Sequence, residues 1–231
     1  MNTKPTLKTS NLQDWMELFE NLGAFTDNLS DALSTALNDE YSDDFRMSAV
    51  EEFTKGTSLT AIFHFKKFSQ DSTLYRLCKY EAILTDYTFA NSKIRQTFYN
   101  LHDSVVTLKE AFNLLQGRYV RTDLYTESGI SYNAWIKLNL KEKDGRGDYK
   151  VETYRTGTSF DLLRLFSLYP IIELGEPGFA AALVKSLEQG NSEIVTFQLR
   201  NKVEKMAISV NPRNQTLSIY PLKSLLNRYT H

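Results

Sequence analysis

Basic residues and tyrosines are interleaved on several strand-like runs of this 231-residue chain. A sheet that presents aromatic rings among cations can stack bases on the rings and neutralise phosphates, as proteins that bind single-stranded nucleic acids do. The structural alternative is that tyrosine favours strands intrinsically and that Lys and Arg commonly occupy the solvent face of a strand. Under the binding hypothesis, the contact residues are Arg76, Lys79, Tyr80, Arg118, Tyr119, Arg121, Lys150, Tyr154 and Arg155.

Side chains that could carry out catalysis are few and widely spaced. The histidines are His64, His102 and His231. The phenylalanines that flank His64 point to the opposite face of its strand-like run, which is typical of a surface or half-buried histidine. His102 lies in a loop-like stretch, where a helix cap is the commoner role. The sequence has no CxxC, HExxH, glycine-rich phosphate loop or GxSxG motif. We therefore predict that the protein is not an enzyme and needs no cofactor or metal ion.

The tripeptide Arg-Gly-Asp at residues 146–148 has the sequence of an adhesion ligand, but its surroundings predict a turn. It follows the turn-forming pair Asp-Gly at residues 144–145 and lies between strand-like runs over residues 131–140 and 149–155. Gly and Asp tolerate the backbone conformations that a hairpin loop requires. In the first run, Trp135 is either an exposed stacking residue or an anchor in a core.

Three segments share a pattern in which a short helix ends at a glycine and an extended run follows. The glycines are Gly56, Gly117 and Gly190. Glycine adopts the left-handed conformation that closes a helix, and further strand-like runs come after each segment. The pattern predicts an α+β fold with a mostly antiparallel sheet, built from about three helix-strand-strand units and preceded by an N-terminal acidic helical pair. If the repeat is genuine, Phe63 and Phe197 occupy equivalent buried strand positions.

The N-terminal region has the pattern of two amphipathic helices. Apolar residues recur at helical spacing over residues 12–22 and again over residues 28–40. The sequence therefore predicts an acidic helical arm over residues 1–46 and an α+β body over residues 47–231. An internal division of the body near residues 100–107 is an alternative.

Charge is distributed unevenly along the chain. Residues 1–52 carry 3 Lys and Arg against 11 Asp and Glu, a balance of −8, and residues 53–231 carry 24 against 17, a balance of +7. Two roles for the arm stay open. In the first, the arm regulates the body or recruits a partner, with Trp15 and Phe19 as the partner-binding residues. In the second, Trp15, Phe19 and Leu33 complete the core, which would leave the acidic side chains in solvent.

The composition is typical of a folded domain without membrane segments. The chain is 42% hydrophobic and 13% aromatic, which is enough apolar material for a core. No apolar run approaches the ~18 residues that span a bilayer, and the N-terminus lacks the pattern of a secretory signal. The single cysteine, Cys78, allows no internal disulfide. We expect a soluble, cytoplasmic protein with no membrane partner.

The body also resembles a conserved region of known proteins. The matching elements, in order, are a helix ending in glycine (VTLKEAFNLLQG), a strand with YNAW, the segment YPIIELGEP, the unit LVKSLEQGNSEIVTF and a final hairpin (VNPRNQTLSIY). Together, over about residues 50–221, they are similar to an uncharacterised conserved region of proteins encoded on conjugative transposons of Bacteroidetes, often near a topoisomerase gene. The resemblance implies a mobile-element context and supplies no catalytic residue, cofactor or substrate.

Two functions from different classes stay open. The first is a non-enzymatic accessory protein of a mobile genetic element, which binds nucleic acid through a basic, tyrosine-rich sheet face. The second is a protein-interaction module that docks another mobile-element or host protein without contacting nucleic acid. The two differ in whether the basic residues share one solvent-exposed face.

Overall fold

The structure is a computed structural model. In it the chain forms two compact units, Met1–Leu115 and Gln116–His231. In the part that the structure describes, no helix is long and apolar enough to cross a membrane. The predicted helix over residues 28–40 and the histidines other than His64 lie outside the described residues. The described residues are 12–24, 43–67, 69, 75–88, 90, 92–99, 105–155 and 160–222.

The described part of the first unit consists of a four-stranded antiparallel sheet and two helices. Its elements are α1 (Leu12–Leu22), β1 (Asp44–Thr54), β2 (Thr57–Lys67), β3 (Tyr75–Asp86), β4 (Ser92–Tyr99) and α2 (Leu108–Leu115). The strands pair in sequence order, β1-β2-β3-β4. Consecutive antiparallel strands need only short connections, so this topology is built from neighbours along the chain.

One face of this sheet forms the core of the first unit. In the register of the four strands, Met47, Phe63, Tyr80 and Phe98 lie opposite one another in a single row, and all four side chains are buried. Because strand side chains alternate between the two faces, every second row points into this core. Helix α1 covers the row, with the ring of Phe19 meeting that of Phe63 edge-on at 4.9 Å between centroids.

Helix α1 completes this core and does not form a separate arm. It spans the predicted residues and ends at Gly23, whose φ of 75° is the left-handed conformation of a helix stop. The rings of Trp15 and Phe65 meet edge-on at 5.0 Å. Trp15 and Phe19 are both buried, so the apolar stripe of the helix packs on the sheet. The predicted boundary at residue 46 therefore does not separate two folding units in the structure.

Helix α2 also belongs to the first unit. Its N-terminus is a reciprocal capping box, in which the N–H of Thr107 donates to Glu110 Oε2 at 2.8 Å and the N–H of Glu110 donates to Thr107 Oγ1 at 3.2 Å. The hydroxyl of Tyr80 on β3 donates to the carbonyl of Val106 at 2.6 Å. This helix therefore packs with the sheet before it, and the division of the chain falls after Leu115 instead of near residues 100–107.

The second unit contains two three-stranded antiparallel sheets. Its elements are β5 (Val120–Tyr125), β6 (Ser131–Lys143), β7 (Tyr149–Tyr154), α3 (Leu162–Phe166), a 3₁₀ helix (Ile172–Gly175), α4 (Phe179–Glu188), β8 (Glu193–Gln198), β9 (Val203–Asn211) and β10 (Thr216–Pro221). The sheet orders are β5-β6-β7 and β8-β9-β10. Trp135 of β6 packs in one apolar cluster with Phe166, Leu187 and Phe197, so it is a core anchor.

The predicted repeat holds for two of its three segments. Gly117 and Gly190 follow α2 and α4 with φ values of 72° and 83°. Gly56 instead lies in the tight turn between β1 and β2, so the helix predicted before it is wrong. The segment before Gly56 contains good helix formers, but pairing with β2 makes it the end of β1. Phe63 and Phe197 are both buried in strands, without a shared helix before them.

The α+β class with mostly antiparallel sheet is confirmed. The loop between β6 and β7 is the predicted turn, in which the N–H groups of Arg146 and Asp148 donate to Asp144 Oδ1 at 2.9 and 3.0 Å. Gly147 has a φ of 84°, which explains the glycine at that position. Asp148 is buried, so this Arg-Gly-Asp sequence forms a compact turn and does not present its carboxylate as an adhesion ligand would.

Candidate functional site

A row of polar side chains crosses all four strands on the solvent side of the first sheet, which we call the outer face. Arg46 on β1, His64 on β2, Lys79 on β3 and Tyr99 on β4 are cross-strand neighbours in the register. The adjacent row is the buried one that contains Tyr80, so the alternation of side chains directs this row away from the core. Arg46 is exposed and Tyr99 is 41% exposed, whereas His64 in the middle of the row is buried and Lys79 is half-buried.

Further rows add cations to the outer face. In the same register, Lys66 pairs with Arg76, and Lys93 and Arg95 stand opposite outward-pointing residues of β3. Strand alternation also places three carboxylates on this face, those of Asp44, Glu52 and Glu81. Among the described residues of this face, six Lys and Arg against three carboxylates leave a surplus of three positive charges. The six cations are Arg46, Lys66, Arg76, Lys79, Lys93 and Arg95.

A β-bulge in β3 brings two predicted contact residues, Arg76 and Lys79, onto this same face. The register shifts after His64, which leaves Cys78 as an extra, unpaired residue on β3. In a regular strand, residues three positions apart point to opposite faces. The bulge therefore decides that both cations face solvent.

Glu81 lies at the centre of the outer face and contacts three of its basic side chains. Its carboxylate oxygens lie 2.9 Å from His64 Nε2, 2.8 Å from Arg95 Nη1 and 3.9 Å from Lys79 Nζ. The Glu81 side chain is 18% exposed, so these pairs are partly shielded from water. The basic side chains thus converge on one anionic group, which is the geometry that also binds a phosphate.

His64 has its charge state set by the same surroundings. Burial lowers the pKa of His64, the positive charges of Lys79 and Arg46 lower the pKa further, and Glu81 opposes them. With a pKa below the usual ~6.5, the imidazole is neutral at pH 7. Protonation at lower pH would add a positive charge to the middle of the row.

Three predicted contact residues lie in the core instead. Tyr80 is 1% exposed, and burial followed by the nearby charge of Glu110 raises the pKa of Tyr80 well above its usual value. It is on the inward row, so its assignment as a nucleic-acid contact is wrong. Trp15 and Phe19 pack against the sheet phenylalanines and present no contact surface to a partner. For these two residues, the core alternative is the one that the structure shows.

The other six predicted contacts lie in the second unit, where several are engaged locally. Arg121 forms an ion pair with Glu188 of α4, and Lys150 forms one with Glu142. The guanidinium carbon of Arg155 lies 3.9 Å from the centroid of a tyrosine ring on β6. Each of these cations therefore supports the fold around it.

Two tyrosines of the second unit form a small aromatic group. The rings of Tyr119 and Tyr154 meet edge-on with centroids 5.3 Å apart. The ammonium of Lys137 lies 4.8 Å from the centroid of Tyr119. Arg118 precedes Tyr119 and lines a cleft with it. The nine predicted contacts are thus divided between the two units, three in the first and six in the second.

Most residues of the outer face were not predicted from the sequence. Arg46, Lys66, Lys93, Arg95 and Tyr99 have no adjacent pair of the kind that marked the predicted contacts. The signal that could have found them is the alternation along β1, β2 and β4, in which most outward positions are polar and most inward positions are apolar. That signal becomes specific only when the cross-strand register is known.

The described residues of the outer face thus carry more cations than carboxylates, with an exposed tyrosine at one end of the row of Arg46, His64 and Lys79. Comparison with known proteins found no matching family model, no matching curated protein and no matching solved structure. The function is therefore inferred from the geometry of the face itself.

Proposed function

We propose that this chain is a non-enzymatic accessory protein of a mobile genetic element and that it binds single-stranded nucleic acid on the outer face. The observation that carries the proposal is the row of Arg46, His64, Lys79 and Tyr99 across the four strands of the outer face, in which Arg46 and Tyr99 are exposed and His64 is buried between them. The cations would neutralise phosphates, and the tyrosine ring would stack on a base.

The dimensions of the row are those of a short stretch of single strand. Neighbouring strands lie roughly 4.8 Å apart, so a row across four strands is about 14 Å long. Four-stranded sheets that bind RNA stack two or three bases on such a surface. Tyr99 provides one ring, at the end of this row. Tyr87, which is 60% exposed and whose hydroxyl lies 3.1 Å from Ser58 Oγ, provides a second ring toward the other end of the strands, about 20 Å from the row.

Glu81 supports the proposal because it shows how the face holds an anion. Its carboxylate contacts His64, Arg95 and Lys79 in the free protein. A phosphate group would compete with this carboxylate for the same donors, and the surplus of positive charge on the face would favour its approach.

The mobile-element context is supported by the resemblance over about residues 50–221. That resemblance supplies no catalytic residue, and the sequence contains no catalytic motif. An accessory role is therefore proposed instead of an enzymatic one. A cytoplasmic location belongs to the same proposal.

The test is salt-dependent binding of a short fluorescent oligothymidylate, measured by anisotropy and compared with a duplex of the same length. Each phosphate contact to a single strand contributes about 0.7 to the slope of log K against log salt, so Arg46→Gln/Lys79→Gln should reduce that slope by about 1.4. The matched control, Lys141→Gln/Lys143→Gln, also removes two positive charges, but from the second unit.

The two double variants decide the outcome. The proposal requires that the outer-face variant lose affinity and slope while the control stays close to the original protein. Equal losses in both variants, or affinity that does not change with salt, would overturn it. Absence of oligonucleotide binding at low salt would also overturn it and would favour the protein-docking alternative.

A further inference from the structure

The second unit contains a polar cleft of about 320 Å³ that is separate from the outer face. Its walls come from the loop before β5, from β6, from the loop after α4 and from β9 and β10. Gly117 and Gly190 lie in the two loops with positive φ values, so the chain turns sharply at the wall without a side chain. The two glycines that close helices thus border one cavity.

The cleft is positively charged. Its charged lining residues are Arg118 and Lys137, and of the residues that the structure describes, none in the lining is Asp or Glu. The ammonium of Lys137 lies 4.8 Å from the ring centroid of Tyr119, which places it at the cleft wall. Two cations without a carboxylate among them are suited to a ligand with two negative charges.

The aromatic group of Tyr119 and Tyr154 holds Lys137 in place. Tyr119 packs edge-on against Tyr154, and the hydroxyl of Tyr154 donates to Glu152 Oε2 at 2.6 Å. Glu152 is the cross-strand neighbour of Lys137 in the register. Its carboxylate accepts the tyrosine hydrogen bond, so it is engaged beside the lysine and not in the lining of the cleft.

The remaining lining consists mainly of hydroxyl and amide groups. Ser209 on β9 and Ser218 on β10 are direct cross-strand partners, so both hydroxyls stand side by side on the same sheet face. Asn191 and Asn211 add side-chain amides to the lining. Such groups hydrogen-bond to sugar hydroxyls or phosphate oxygens and give little contact to an apolar ligand.

We propose that this cleft binds the phosphate group of a small polar molecule of about mononucleotide size. Its volume lies at the low end of the roughly 300–1,000 Å³ of ligand pockets, which excludes a large ligand. Arg118 and Lys137 contact the phosphate, and the serine and asparagine groups contact the hydroxyls of the remainder. The phosphate is either that of a free mononucleotide or the terminal phosphate of an oligonucleotide.

The experiment is isothermal titration of the full chain with four probes: adenosine monophosphate, adenosine, succinate and a short 5′-phosphorylated oligonucleotide. Adenosine monophosphate should bind, and adenosine, which lacks the phosphate, should bind at least about tenfold more weakly, because a hydrogen bond to a charged group contributes a tenfold change or more. Succinate has two negative charges but no hydroxyls for the serine and asparagine groups, so it should also bind more weakly than adenosine monophosphate. Tighter binding of the oligonucleotide than of adenosine monophosphate would identify a strand end as the source of the phosphate, and the reverse would identify a free nucleotide.

Variants locate the site. Lys137→Gln and Arg118→Gln should each weaken adenosine monophosphate binding about tenfold. Lys143→Gln is the matched control, since this lysine is on the same strand and its ammonium also lies over a tyrosine ring, at 4.7 Å, outside the cleft. No binding of adenosine monophosphate, equal binding of adenosine or succinate, or equal loss in the control would overturn the proposal.

The result is independent of the proposed nucleic-acid function. Arg46→Gln/Lys79→Gln changes the first unit and should leave adenosine monophosphate binding within about twofold of the original value. If the outer face fails its own test while the cleft binds the phosphate, only the proposed function is lost. If the outer face passes and the probe does not bind, only the cleft proposal is lost.

Discussion

Replacing Glu81 by glutamine should strengthen nucleic-acid binding while weakening the fold. The carboxylate lies within 4 Å of His64, Arg95 and Lys79, which are groups that would also contact a phosphate. Glu81→Gln keeps the shape of the side chain and removes its charge. The basic groups then lose an internal partner and become more available to a polyanion.

The size of the effect follows from Coulomb's law. A phosphate bound by these basic groups would lie roughly 5 Å from the Glu81 carboxylate, where two negative charges repel by about 0.8 kcal/mol in water and about 3 kcal/mol at an effective dielectric constant of 20. The face is partly exposed and salt screens it, so about 1 kcal/mol applies, equal to about fivefold in Kd. The free energy of unfolding should fall by about 1–2 kcal/mol, because charge-assisted hydrogen bonds are lost.

The assay measures oligothymidylate anisotropy and urea denaturation on the same variants. Glu17→Gln is the control: it removes one negative charge from α1, which covers the opposite face of the sheet, and its side chain is exposed. Affinity should change by less than about twofold in this control. Weaker binding by Glu81→Gln, or an equal gain in the control, would refute the view that Glu81 competes with a phosphate on the outer face.

Three further predictions concern stability. Phe19→Ala should lower the free energy of unfolding of the first unit by about 3–5 kcal/mol in urea denaturation, because it leaves a cavity beside the sheet. Gly56→Ala should cost about 1 kcal/mol more than Gly147→Ala, since both have positive φ but only at Gly56 would the new Cβ lie 2.7 Å from Thr88 Cγ2. Because the pKa of His64 is lowered in the folded protein, the unfolded chain binds a proton at this histidine more readily. The free energy of unfolding should therefore fall as the pH drops below about 6.5. His64→Gln should flatten this pH dependence between pH 6.5 and the lowered pKa.

Each of these predictions has an outcome that would contradict it. A loss below about 1 kcal/mol for Phe19→Ala, similar to that of an exposed position, would mean that α1 is a detachable arm. Equal costs at Gly56 and Gly147 would show that Thr88 moves aside freely. The buried neutral state of the His64 imidazole would be excluded if the free energy of unfolding of the original protein rises as the pH falls from 6.5 to the lowered pKa while that of His64→Gln stays unchanged.

Local features of this protein were readable from its sequence. The turn at residues 144–148 depends on Asp and Gly, whose conformational preferences act within a few residues. Helix α1 was predicted from the spacing of its apolar residues, which is again a local signal. The α+β class followed from the same periodicities, and the structure confirms it.

Features that depend on pairing between distant segments could not be read in this way. The end of β1 has helix-forming glutamates, and only its pairing with β2 makes it a strand that turns at Gly56. Helix α2 precedes β5 directly in sequence, yet Tyr80 and the first sheet hold it in the first unit. The sequence gives the side chains that make these contacts, but it does not show which side chains pair with one another.

The candidate site shows most clearly which features are local in the sequence and which depend on pairing between distant strands. The sequence by itself determined that cations and tyrosines occur at short spacing on strands, and it placed Arg76, Lys79 and Tyr80 among the contact residues. Only the tertiary structure decided that Tyr80 points inward and that the bulge at Cys78 turns both cations outward, onto the same sheet face as Arg46 of β1. The physical reason is that a shift of one residue in a strand moves every following side chain to the other face, and register is set by the neighbouring strands.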